Sequence, residues 1–166
     1  MKKLSAFSLK SNGFTLIELM VVLALISLMS VVAIASFVKF NQSQTFQAGV
    51  NDFITALNFA RASAASQVKP KTSALNCKAS SSLSYYKVTI NTVSSYSVVA
   101  VCGDGNVTVS TYSFPQNVQF SGGDVAKNIV FSILTGGATG ANQVTISGYS
   151  QTKIVNVDVI GKITTQ

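Results

Sequence analysis

The sequence predicts an α+β fold: one long N-terminal α-helix packed on an antiparallel β-sheet or sandwich. Three observations carry this expectation. Phe14 to Val38 is an apolar run with no Lys or Arg and one ionisable side chain, Glu18. Apolar residues then recur at helical spacing as far as Ala64. After Pro70 the pattern changes to period two, in short β-branched and aromatic runs between Gly-rich turns.

The first run reads FTLIELMVVLALISLMSVVAIASFV. As a helix its 25 residues reach ~37 Å, more than the ~30 Å hydrocarbon core of a bilayer. It is therefore expected to be a single transmembrane span. A carboxylate inside such a span costs roughly 2.5–3.5 kcal/mol on insertion scales, which makes Glu18 a candidate functional residue. The plainer alternative is an acid near the helix end that reaches the headgroups or sits protonated. Lys2, Lys3 and Lys10 all precede the run, an arrangement that keeps the N-terminus cytoplasmic and sends the rest outward. An ordinary secretory signal fits poorly, because its apolar region is shorter and ends at a small-residue cleavage site.

Beyond the run, Phe46, Val50, Phe53, Ile54, Leu57, Ala60 and Ala64 line one face of a continuing helix. Gln47, Asn51, Asp52, Asn58 and Arg61 fall on the others. One helix is expected from Phe14 to about Gln67, halted before Pro70. Gly49 is a tolerated weak point, and Asn41–Thr45 is where fraying is expected. Strands follow at Ser84–Asn91, Ser95–Cys102, Asn106–Ser113, Asn117–Phe120, Ile129–Leu134, Gln143–Ser147 and Lys153–Ile160. Gly103-Asp104-Gly105 makes a tight hairpin, and Gly136–Gly140 reads as a flexible one.

The string Gly13-Phe14-Thr15-Leu16-Ile17-Glu18, behind the basic stretch MKKLSAFSLKSN, resembles the class III signal of type IV prepilins and type II secretion pseudopilins. The resemblance implies a leader at residues 1–13, removed after Gly13 by a prepilin peptidase. Phe14 then becomes the mature, N-methylated terminus. Residues 14–38 form the membrane and filament-core segment, 39–68 the amphipathic continuation and 69–166 an extracytoplasmic head. Glu18 falls where the family pairs a carboxylate with a neighbouring subunit's N-terminal amine during assembly. Implied partners are other pilin or pseudopilin subunits, the peptidase, the inner-membrane assembly platform and the membrane itself. Localisation is the cytoplasmic membrane, then the filament.

Leu57-Asn58-Phe59-Ala60-Arg61-Ala62 and the closing Gly161-Lys162-Ile163 are similar to the minor pseudopilin H group. The chain departs from many major pilins at Ala35, where they carry a helix-breaking Pro, and at Ser27, where Gly is common. Without a proline ring, local melting of the helix has no evident cause.

Only 10% of residues are charged. Without the leader, nine basic side chains face five acidic ones, a mild excess that permits an anionic partner without requiring one. Cys77 and Cys102 fall in the exported part, where an even pair forms one disulfide or stays as two buried thiols. The absence of His removes Ser-His-Asp and Cys-His catalysis, and no metal site or cofactor is expected. Asp104 with Asn106 falls short of a calcium ligand set. Gly136–Gly140 lacks the ending of a phosphate-binding loop. Lys87, Lys153 and Lys162, with Tyr85, Tyr86, Tyr96 and Tyr112, form a weak candidate surface for single-stranded nucleic acid or another ligand, as in a filament-tip DNA-uptake or adhesion subunit.

Overall fold

The computed structural model describes residues 13–70, 77, 78, 80–140 and 142–166, with the backbone alone at 29–33 and 35. The expected leader, apart from Gly13, and part of the Ser-rich connection lie outside the described residues. The chain divides into two units, residues 1–40 and 41–166.

Helix α1 runs Leu16–Ala65. It begins at Thr15, whose hydroxyl accepts the Glu18 amide at 3.3 Å, an N-cap that satisfies one of the helix's orphan donors. It ends in a Schellman turn: Val68 N–H reaches Ser63 O at 3.0 Å and Gln67 N–H reaches Ala64 O at 3.1 Å. Gln67 takes the left-handed residue of that turn at φ 52°, so the helix closes before Pro70 exerts its constraint. No fraying occurs at Asn41–Thr45, where the Thr45 hydroxyl bonds back to Asn41 O at 2.9 Å.

Among the described side chains of the first unit the large apolar ones are exposed, from Phe14 (83%) and Leu16 (77%) to Phe40 (60%). Among the described residues, no helix is long and apolar enough to cross a membrane. The expected span Phe14–Val38 is therefore not established by the structure, and six of its side chains lie outside the described residues.

In the second unit α1 presents its apolar stripe, and Phe46, Val50, Phe53, Leu57, Ala60 and Ala64 are all buried. Among the described residues, nine strands form two antiparallel sheets. Strands β1 (Leu83–Thr92), β2 (Ser95–Cys102), β3 (Gly105–Ser113), β5 (Asn128–Ser132) and β6 (Ala138–Gly140) form one, in the order β3-β2-β1-β5-β6. Strands β4 (Val118–Phe120), β7 (Gln143–Gly148), β8 (Gln151–Val157) and β9 (Ile163–Thr165) form the other, in the order β4-β7-β8-β9. Phe53 ties the layers together, with its ring edge-on to Tyr96 of β2 at 5.0 Å and to Phe120 of β4 at 5.1 Å. Gly49 is more than a weak point. A Cβ there would meet Pro115, Phe114 and Val118 at 3.3–3.4 Å, so the missing side chain lets α1 approach the β3–β4 connection.

β6 occupies the end of Gly136–Gly140, a segment expected to be a flexible hairpin loop, and β9 lies beyond the last expected strand, directly after Gly161-Lys162. Conversely, the eighth strand stops at Val157, because Gly161 N–H to Asp158 O (2.7 Å) and Asp158 N–H to Lys162 O (2.9 Å) close a turn.

Arg61, off the apolar face as expected, packs on the C-terminal turns. Its side chain lies over Gly136 and Gly161, and its guanidinium donates to Ile160 O at 3.2 Å. Gly161 has φ +77°, and a Cβ there would strike the Gly136 carbonyl oxygen and come within 2.7 Å of Arg61 Nε. Gly161→Ala is therefore expected to cost roughly 2–3 kcal/mol in backbone strain and displaced contacts. A thermal melt of the head unchanged by this substitution would contradict that packing.

Candidate functional site

The N-terminal end of α1 assembles the residues singled out in the sequence. Gly13 and Phe14 precede the helix, Thr15 caps it and Glu18 stands in its first turn. The Thr15-x-x-Glu18 spacing is a capping signature visible in the sequence. An acid in a helix's first turn gains about 0.3–1 kcal/mol from the helix dipole. Glu18 is exposed and forms no ion pair among the described residues, which leaves its carboxylate available to a group outside this chain's own fold.

Gly13 is under no steric constraint among the described residues: a Cβ there would have nothing within 4 Å. Any requirement for glycine at this position comes from outside the fold.

The second group of residues sits at the start of the head. The structure joins Cys77 and Cys102 in a disulfide, with Cα atoms 5.2 Å apart. Asp104, in the β2–β3 turn, completes the anchor. One carboxylate oxygen accepts Cys77 N–H at 2.8 Å and the other accepts Lys78 N–H at 3.1 Å. Gly103 N–H adds a bond to Ser82 O at 2.9 Å, and Lys69 Nζ donates to the Ser81 and Lys78 carbonyls. Both sulfurs are consumed by the bridge, so Cys77, Cys102 and Asp104 do not form a metal-ligand set.

Desolvation pushes the Asp104 carboxyl up. Hydrogen bonds from the Lys78 amide, the Ser81 hydroxyl, the Cys77 amide and its own amide outweigh this and bring it down to about 2. A lowered carboxyl stabilises the fold above its unfolded value of 3.8, and that contribution is lost as pH falls through about 2. Asp104→Asn should therefore flatten the stability profile between pH 4 and pH 2, as read by thermal melts. An unchanged profile would mean that the anchor is electrostatically idle.

The three lysines of the candidate ligand surface are not brought together. Lys87 lies on β1 of the five-stranded sheet, Lys153 on β8 of the other, and Lys162 in the turn before β9. Tyr86 and Tyr96 belong to the core. Tyr86 donates its hydroxyl to Val68 O at 2.6 Å, and burial raises its pKa. Burial, followed by the Asp52 charge and Tyr112, raises that of Tyr96. Neither ring is open to stack on a base.

A family model described as the prokaryotic N-terminal methylation motif matches residues 8–34, about a sixth of the chain. No curated protein and no solved structure matches it. The motif supports the type IV pilin and pseudopilin class, a structural rather than enzymatic family. It suggests a pilin-like subunit of a pilus or secretion filament, and it gives no support to pseudopilin H in particular.

Proposed function

We propose that this protein is a minor pilin or pseudopilin, a structural subunit of a type IV pilus-like or type II secretion filament. The observation that carries the reading is a helix apolar on all sides and exposed along its first unit, with one acid in its first turn. A helix of that kind needs lipid or other helices around it. The bilayer serves before assembly, when Phe14–Val38 spans the cytoplasmic membrane with the head outside. Equivalent helices of neighbouring subunits serve afterwards.

Residues 1–13 are removed by prepilin peptidase, and the new amine at Phe14 is methylated. In the filament Glu18 faces a neighbour's terminal amine. Two opposite charges in a low-dielectric core compensate each other only when subunits dock in register, so the pair sets the stagger. The head supplies the filament's outer surface. The likeness to the minor pseudopilin H group rests on Leu57–Ala62 and Gly161–Ile163.

Gly13 tests the reading cleanly, because the fold does not need it. Gly13→Ala, or a bulkier residue, should leave the head's melting temperature unchanged while the protein accumulates as precursor. Normal processing of these variants in cells carrying the peptidase would remove the proposed cleavage site.

A further inference from the structure

Two Asn-x-Ser/Thr signals occur among the described residues, at Asn41-Gln42-Ser43 and Asn106-Val107-Thr108. The fold treats them differently. Asn41 is inside α1, preceded two residues earlier by Lys39, and its carbonyl is held by Thr45. Asn106 is the second residue of β3, at the tip of the β2–β3 hairpin, and stands exposed. Strand alternation puts Asn106 and Thr108 on the same, solvent-facing side, with Val107 buried between them. Two residues before Asn106 stands Asp104, one of five acids in the chain.

We infer that Asp104-Gly105-Asn106-Val107-Thr108 is an acceptor site for N-linked glycan transfer, open before the disulfide anchor closes. Asn-x-Thr is the acceptor signal for such transfer, and a carboxylate upstream offers a cationic enzyme site an ionic handle. In the transfer, the side-chain nitrogen of Asn106 bonds to C1 of a glycan carried on a polyprenyl diphosphate. The C1–oxygen bond to the diphosphate breaks, polyprenyl diphosphate leaves and the amide gives up one proton.

The structure also sets the timing. In the closed head both oxygens of Asp104 are bound by the Cys77 and Lys78 amides, and Asn106 is in register with Val101. The handle is therefore withdrawn once Cys77 and Cys102 have joined. The modification would also serve the fold. β3 is an edge strand of nine residues without a charge or a proline, the kind of edge that pairs with other chains unless covered. A bulky polar glycan at its start covers it.

This inference rests on the export reading above, so the test separates the two. Purified full-length chain is incubated with a bacterial oligosaccharyltransferase and a polyprenyl-diphosphate-linked oligosaccharide, and products are mapped by peptide mass spectrometry. One glycan is expected at Asn106, absent in N106Q and T108V and retained in N41Q. Transfer should be roughly tenfold greater on a C77S/C102S chain, where the anchor opens locally. D104N discriminates further: it loosens the anchor, which alone would raise transfer, yet it removes the handle and should lower it. No transfer to Asn106 in either redox form, or undiminished transfer to D104N, overturns the inference. N-terminal sequencing of protein from the native host reports separately on export, so a retained Met1 beside a competent Asn106 counts against the filament reading alone.

Discussion

Replacing Glu18 with Val or Gln is expected to abolish incorporation into filaments while processing, membrane insertion and the head's stability stay intact. The side chain is exposed and, among the described residues, forms no ion pair, so its removal strips nothing from the subunit's own fold. The Thr15 cap survives, because it uses the Glu18 backbone amide rather than the carboxylate. Insertion should improve slightly, since the acid costs roughly 2.5–3.5 kcal/mol in lipid. In the proposed assembly the substitution removes the compensating partner of a neighbour's terminal amine, and an unpaired buried charge costs about 3–5 kcal/mol. Cross-linking of wild type against the variant in assembling cells measures this. Equal incorporation would leave Glu18 as a simple first-turn acid.

Reducing the Cys77–Cys102 bridge should produce the largest stability change in the head. Closing a loop across a sequence separation of 25 restrains the unfolded chain by ~3.5 kcal/mol in the chain-entropy model. For a unit of this size that corresponds to roughly 10 °C in melting temperature. The bridge also holds Cys77 at φ 60°, a left-handed conformation unfavourable for a side-chain-bearing residue. Without the bond, the Asp104 hydrogen bonds must hold that turn alone. Melts of oxidised and reduced protein that coincide would contradict the estimate.

The helix and the longer strands were legible because their signals are local. The expected strand Ser95–Cys102 is β2 residue for residue, and the helix ends lie two residues inside the expected Phe14 and Gln67. The three-residue strands were not legible, because their pairing comes from distant partners. Gly136–Gly140 carries the composition of a loop, yet β6 forms where Phe131 and Val130 of β5 lie opposite Ala138 and Thr139. Helical spacing places Arg61 off the apolar face. Only the fold shows the notch made by Gly136 and Gly161 that receives it.

At the N-terminal site the residue types and their order were readable, since a Gly-Phe-Thr string and a lone acid in an apolar run are sequence patterns. The freedom of Gly13 and the exposure of the described apolar side chains were not, because both depend on what packs nearby. The placement of Lys87 and Lys153 on different sheets, with Lys162 in the turn before β9, was equally hidden, for it depends on strand order.

The central claim is that this chain is a prepilin processed for filament assembly. N-terminal sequencing and intact mass of the protein purified from cells carrying a prepilin peptidase test it most directly. The account predicts a chain beginning at Phe14, lacking residues 1–13 and carrying one extra methyl group on its terminal amine. A chain beginning at Met1, with no added methyl, would contradict it.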